Sequence, residues 1–164
     1  MIRGVIFDLD GTLIHLPINY EALFQEIQTI MKTPKVTPLV QTIAVLDKKA
    51  RSEVYEVWTK AELEALPSLR INNEGMKLYQ KFSGRPLALV TMQGRRVVEE
   101  ILSSLKLSFD VVLTREESLD RAKQIEVAVA KLGLKPKDIL MIGDRENDKT
   151  SSEKIGCQFL MVMQ

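Results

Sequence analysis

Apolar residues in this chain gather into short unbroken runs. Residues 2–7 (IRGVIF), 87–91 (LALVT), 111–114 (VVLT), 139–143 (ILMIG) and 158–162 (QFLMV) are each strand-sized and rich in Val, Ile and Leu. Strands that are apolar on both faces belong to a sheet covered on both sides, which is a parallel sheet. Helical stretches separate them at 73–82, 94–105, 121–132 and, shorter, near 149–155. In the third of these, Ile125, Ala128, Val129 and Leu132 recur at three- and four-residue steps, marking one buried face, and Gly133 closes the helix. Strand and helix in alternation predict an α/β fold, a doubly wound parallel sheet.

Between Leu16 and Leu66 the pattern changes. No strand-like run appears, and helical spacing dominates on both sides of a break at 33–38 (TPKVTP). Pro17 suits the first turn of a helix carrying Leu23, Phe24, Ile27 and Ile30; a second stretch carries Val40, Ile43, Ala50, Val54, Val57, Trp58, Ala61 and Ala65, with Asp47, Lys48 and Lys49 as its polar interruption. The expected organisation is an α/β core of residues 1–15 and 68–164, with a small helical subdomain, residues 16–67, inserted into it.

Composition narrows the function classes. The chain has 164 residues, 45% hydrophobic and 27% charged, which suits one globular domain with a modest insertion. Its 23 basic against 22 acidic side chains give a net charge of +1, so no general field attracts nucleic acid or an anionic membrane. No apolar run approaches the ~20 residues that span a bilayer. The first strand begins without the basic start and long apolar stretch of a secretion signal, which predicts a cytoplasmic protein. The single cysteine, Cys157, reads as a small buried residue, and the single histidine, His15, leaves no His-pair mechanism.

The chemistry sits at strand ends. Asp8 and Asp10 follow the first strand in DLDGT, and Asp144 and Asp148 follow the fourth in GDREND. In a parallel sheet all carboxyl ends open on one edge, where such folds bind ligands, so these four acids can meet. Gathered carboxylates repel one another, which calls for a hard divalent cation, Mg2+ by default, with Asp8, Asp10, Asp144 and Asp148 as its candidate ligands. Thr91 brings a hydroxyl to the same edge, although a β-branched residue is also at home in any strand. Cation, paired acids and hydroxyl together fit a phosphate.

In order and spacing, FDLDGTLI, LALVT and IGDREND resemble three of the four motifs of the haloacid dehalogenase superfamily, over nearly the whole chain. The resemblance implies a phosphatase of the phosphoglycolate-phosphatase-like kind, with the insertion as its cap. Asp8 is then the nucleophile, Asp10 the general acid and base, and Thr91 a phosphate ligand. Asp144, the Asp8 carboxylate and the Asp10 main-chain carbonyl would hold Mg2+, with Asp148 supporting them. The family's phosphate-neutralising cation falls on Arg121 or Lys123, with Lys123 slightly favoured as the commoner residue type. Met92 stands where the family usually has Asn or Ser. His15, Asn19, Tyr20, Arg51, Tyr55 and Trp58 are the insertion's candidates to face a cleft, Trp58 being better read as helix core.

The implied activity is Mg2+-dependent hydrolysis of a small phosphorylated metabolite through an aspartyl phosphate. A phosphotransferase or phosphomutase of the same superfamily is the nearest alternative. A receiver-type phosphoacceptor domain shares the clustered acids, the Thr and the Lys, but needs neither the DxD spacing nor a helical insertion.

Overall fold

A computed structural model describes residues 1–163. Its main sheet has five strands in the order β5-β4-β1-β6-β7, all parallel. They are β1 (Gly4–Asp8), β4 (Leu87–Val90), β5 (Val111–Leu113), β6 (Ile139–Gly143) and β7 (Gln158–Met161). Each apolar run of the sequence is one of these strands, to within two residues at either end. The sheet is covered by α4 (Asn73–Phe82), α5 (Arg95–Leu105), α6 (Arg121–Leu132) and α7 (Glu146–Ile155). This is the expected α/β class.

Strand parity sorts the core into two layers. Val5, Phe7 and Leu89 join Val97, Val98 and Ile101 of α5, while Ile6, Ala88, Val90 and Met141 join Ile125, Ala128 and Val129 of α6. Asp8 has the parity of Ile6, so its carboxylate leaves the strand end on the α6 side. The pairing places Asp8 opposite Val90 and Phe7 opposite Ile142. Thr91 and Asp144 therefore follow within a residue or two on the two flanking strands, at a strand spacing of roughly 4.8 Å. The chain goes from β1 outward to β4 and β5 and returns to the other side of β1 as β6, so the acids lie at the point where the strand order reverses.

The segment between the first two core strands is helical: α1 (Tyr20–Met31), α2 (Leu39–Ala44) and α3 (Lys48–Ala65). Asn19 accepts from the Ala22 N–H and Asp47 from the Ala50 N–H, so the polar interruption at 47–49 is the N-terminal cap of α3. Pro17 precedes α1 and is not part of its first turn, because Asn19 fixes the helix start. Asp148 accepts from the Arg145 N–H and starts α7 three residues earlier than its apolar pattern predicts.

One element has no signature in the sequence. β2 (Ile14–His15) and β3 (Arg70–Ile71) form a two-stranded antiparallel ribbon, with Ile14 opposite Ile71 and His15 opposite Arg70. It joins the two ends of the helical insertion. Gly75, just after it, packs so tightly that a Cβ would lie 1.8 Å from the Thr12 carbonyl oxygen. Only a glycine lets α4 press on the turn that follows Asp8.

Cys157 is buried beside β7, and burial pushes its thiol up to about 11. At pH 8 that leaves roughly a thousandth of it as thiolate, the reactive form. Iodoacetamide is expected to label the native protein far more slowly than the urea-unfolded one, as followed by intact mass. Equal rates would place the thiol at the surface.

Candidate active site

Asp8 is the centre of the cluster. Its Oδ1 lies 3.0 Å from Arg121 Nη2, and its Oδ2 accepts from the Thr12 hydroxyl at 3.4 Å. Thr12 Oγ also reaches Asp144 Oδ1 at 3.5 Å, bridging the two acids. Arg121 Nε lies 3.0 Å from Asp148 Oδ1, an ion pair off the line of a hydrogen bond. Gly143 makes room for this acid, since a Cβ there would stand 2.5 Å from Asp148 Oδ2.

Oxygens of Asp8, Asp144 and Asp148 all lie within 4.8 Å of one another, and Asp8 and Asp148 are buried. Burial raises the Asp8 carboxyl well above the ordinary carboxylate range; Arg121 opposes the rise, and the Asp148 and Asp144 charges add to it. Burial likewise raises Asp148 against the pull of Arg121. A donor set made only of carboxylate oxygens, crowded enough to resist ionisation, fits a hard divalent cation.

Asp10 stands apart from that trio. Its Oδ1 accepts from the Leu16 N–H at 3.0 Å and lies 4.0 Å from His15 Nδ1. Burial raises its carboxyl, less than it would alone, because Leu16, His15 and Arg145 favour the ionised form. Such a group can hold or release a proton near the strand end.

Of the two candidate cations, the structure brings Arg121 to Asp8 and leaves Lys123 outside. Lys123 is exposed and lies 3.6 Å from Glu126. The reason is helical geometry: Arg121, Gln124, Ile125 and Ala128 share the buried face of α6, and Lys123 is two residues round from it. Gln124 completes the arrangement, accepting from Arg121 Nη1 at 2.9 Å and donating to the Thr91 carbonyl at 2.9 Å. Thr91 is buried, and its hydroxyl accepts from the Gln93 N–H at 3.1 Å.

The insertion's candidates divide. Asn19 caps a helix, Arg51 donates to the Ala44 and Leu46 carbonyls at the end of α2, and Trp58 is 4% exposed in the core. Tyr55 donates to the Arg115 carbonyl at 3.2 Å. Tyr20, at the start of α1, is exposed and packs its ring against Phe24, 5.7 Å between centres. A groove between α1 and α3, lined by Leu23, Val57 and Ala61 among others, shares no residue with the acid cluster.

The sequence reading missed a second polar centre. Arg115, in the loop after β5, donates to Glu62 of α3 at 2.9 Å, and neither side chain has any exposed surface. Arg115 also donates to Thr59 Oγ at 2.8 Å and lies 4.2 Å from the centre of the Trp58 ring. Glu62 in turn accepts from the Gly94 N–H. The pair fastens α3 to the loops that follow β4 and β5.

A parallel α/β sheet with its acids at the reversal point defines a class of enzyme that works at that edge; here a helical insertion stands between the first two core strands. Residues 5–162 match the family model of the haloacid dehalogenase-like hydrolases, and the chain belongs to that family. Among curated proteins it is 27% identical to pyrophosphatase PpaX of Bacillus cereus (strain AH820), across 94% of this chain and 80% of that one. It is 24% identical to the phosphoglycolate phosphatase of Pectobacterium atrosepticum, across 96% of this chain and 78% of that one. Among solved structures, CbbY from Rhodobacter sphaeroides in complex with phosphate has the same fold, with a TM-score of 0.70 at 15% identity over 100% of this chain and 87% of that one. A hydrolase from Pseudomonas syringae gives a TM-score of 0.74 at 17% identity over 97% of this chain and 84% of that one.

Proposed function

We propose that this phosphatase hydrolyses phosphomonoesters of small metabolites in the cytoplasm, with Mg2+ as its cofactor and an aspartyl phosphate on Asp8 as its intermediate. The observation that carries the reading is the buried Asp8 carboxylate at the end of the central strand, held by Arg121 and crowded by Asp144 and Asp148.

In this reading Asp8 attacks phosphorus and displaces the alkoxide, which Asp10 protonates. Asp10 then takes a proton from water as that water attacks the phosphoenzyme, so the two acids divide one difficult step into two. Arg121, not Lys123, serves as the cation facing the phosphoryl oxygens, and Gln124 fixes its direction. Thr91 supplies a hydroxyl to the same group. Asp8, Asp144 and Asp148, with the Asp10 carbonyl, would hold Mg2+, whose charge offsets that of the phosphoryl group. The insertion acts as a cap that excludes water.

Inorganic phosphate is expected to be released from a phosphomonoester with Mg2+, and the release is expected to stop after chelation. Ca2+ is expected to replace Mg2+ poorly, since it takes more oxygen ligands at longer distances. Calorimetric titration of Mg2+ gives an independent readout, with binding lost in Asp144→Asn. Full turnover after exhaustive chelation would sink the metal, and turnover with no covalent phosphate trapped on Asp8 would sink the intermediate.

A further inference from the structure

Gln93 is a buried amide, 5% exposed, whose Nε and Oε atoms both lack a hydrogen-bond partner. Exchanging the two atoms changes nothing, because both are unpartnered. The contrast with Gln124, buried to a similar degree, is sharp: that amide bonds the Thr91, Thr114 and Ser118 carbonyls and accepts from Arg121. Buried amides are normally satisfied, and one left with neither donor nor acceptor engaged asks for a missing partner.

Its location says what kind of partner. The Gln93 backbone is fixed between the proposed phosphate ligand and the cap. Its N–H donates to Thr91 Oγ at 3.1 Å, the Met92 carbonyl before it accepts from Arg115 at 3.3 Å, and the Gly94 N–H after it donates to Glu62. A Cβ on Gly94 would meet Arg115 Nη2 at 2.7 Å and Thr59 Oγ at 3.1 Å, so α3 lies directly on this loop. The Gln93 backbone thus lies in the seam between core and cap, two residues beyond the proposed phosphate ligand Thr91, and its amide is buried there.

We infer that the Gln93 amide reads the leaving-group side of the substrate, and that the group it reads is a hydroxyl, making the substrate a small hydroxylated phosphomonoester of the polyol or sugar type. This rests on the phosphomonoester reading above. A hydroxyl both donates and accepts, so it can answer Oε and Nε alike. A carboxylate or a second phosphoryl group only accepts and would leave Oε facing an anion. The guanidinium packed on this loop, Arg115, is already neutralised by Glu62 and offers such an anion no free charge.

The test compares glycerol 3-phosphate with n-propyl phosphate, which share a carbon chain and differ in hydroxyls, using the full chain with Mg2+. The wild type is expected to prefer glycerol 3-phosphate in kcat/KM by ~10-fold or more, and the ratio is expected to fall to near one in Gln93→Met. Without substrate, Gln93→Met is expected to melt ~2 °C or more above the wild type, because an apolar chain replaces an unanswered amide. A wild-type ratio near one overturns the inference, and this measurement needs no variant to fold. So does a ratio that persists in Gln93→Met, or a lower melting temperature there, which would show the amide already bonded to a resident water in the resting protein. Phosphate released from neither ester nor from nitrophenyl phosphate overturns the phosphomonoester reading itself, and the inference with it.

Discussion

Asp8→Asn is expected to lose turnover by at least ~10,000-fold, since removing an enzyme's nucleophile removes the step that every other group serves. The variant should nevertheless fold, and without metal it should be the more stable protein. Asn has the same size, and its amide oxygen can still accept from Arg121, now 3.0 Å away. What disappears is a buried negative charge beside Asp144 and Asp148; burial first, and those two charges after it, raise the Asp8 carboxyl. Parallel measurement of phosphate release and of melting in chelator checks both halves. Turnover within tenfold of wild type would mean that water attacks phosphorus directly. A variant that melts lower would mean that the Asp8 to Arg121 pair, rather than carboxylate crowding, dominates the resting cluster.

The second large effect is at the pair that fastens α3 to the loops after β4 and β5. Glu62→Leu is expected to destabilise by ~3–5 kcal/mol, because Arg115 is left charged in a site without solvent. Denaturant unfolding measures it. A buried pair of this kind is weak evidence of net stability, since desolvation opposes the attraction. Burial raises the Glu62 carboxyl above its ordinary value, against the pull of Arg115 and the Gly94 N–H. A raised carboxyl contributes stability that is fully present below the unfolded value, about 4.5, and is lost as pH rises through the folded one. Glu62→Met combined with Arg115→Met is therefore expected to recover most of the loss at neutral pH. A single substitution costing under ~1 kcal/mol would show that water reaches the guanidinium.

The core was legible because its signals are local. Five apolar runs became five strands, and DLDGT and GDREND met because parallel strands end on one edge. That Arg121 rather than Lys123 meets Asp8 was also within reach: Arg121 stands four residues before Ile125 and seven before Ala128, on the face the sequence marks as buried. Residue-type frequency pointed the other way, and helix geometry decides. Glu62 and Arg115 carry no such signature. They are 53 residues apart, and each alone resembles a solvated charge. Gln93 is visible only once burial is known, and a ribbon of two-residue strands is too short to show any period.

That ribbon makes the insertion exchangeable. Because Ile14 pairs with Ile71 and His15 with Arg70, the chain leaves the core and returns to it through neighbouring backbone. The core meets a closed stem, whatever is carried above it. Closing a longer excursion on such a stem is inexpensive in entropy, ~0.6 kcal/mol for each doubling of a flexible loop. Helical segments grafted at 15 and 70 are therefore expected to leave Asp8, Asp144 and Asp148 where the sheet ends put them. A graft must bring an acid to the place of Glu62, or Arg115 must be removed with the old insertion, and it must return to Asp10 the backbone N–H that Leu16 now donates.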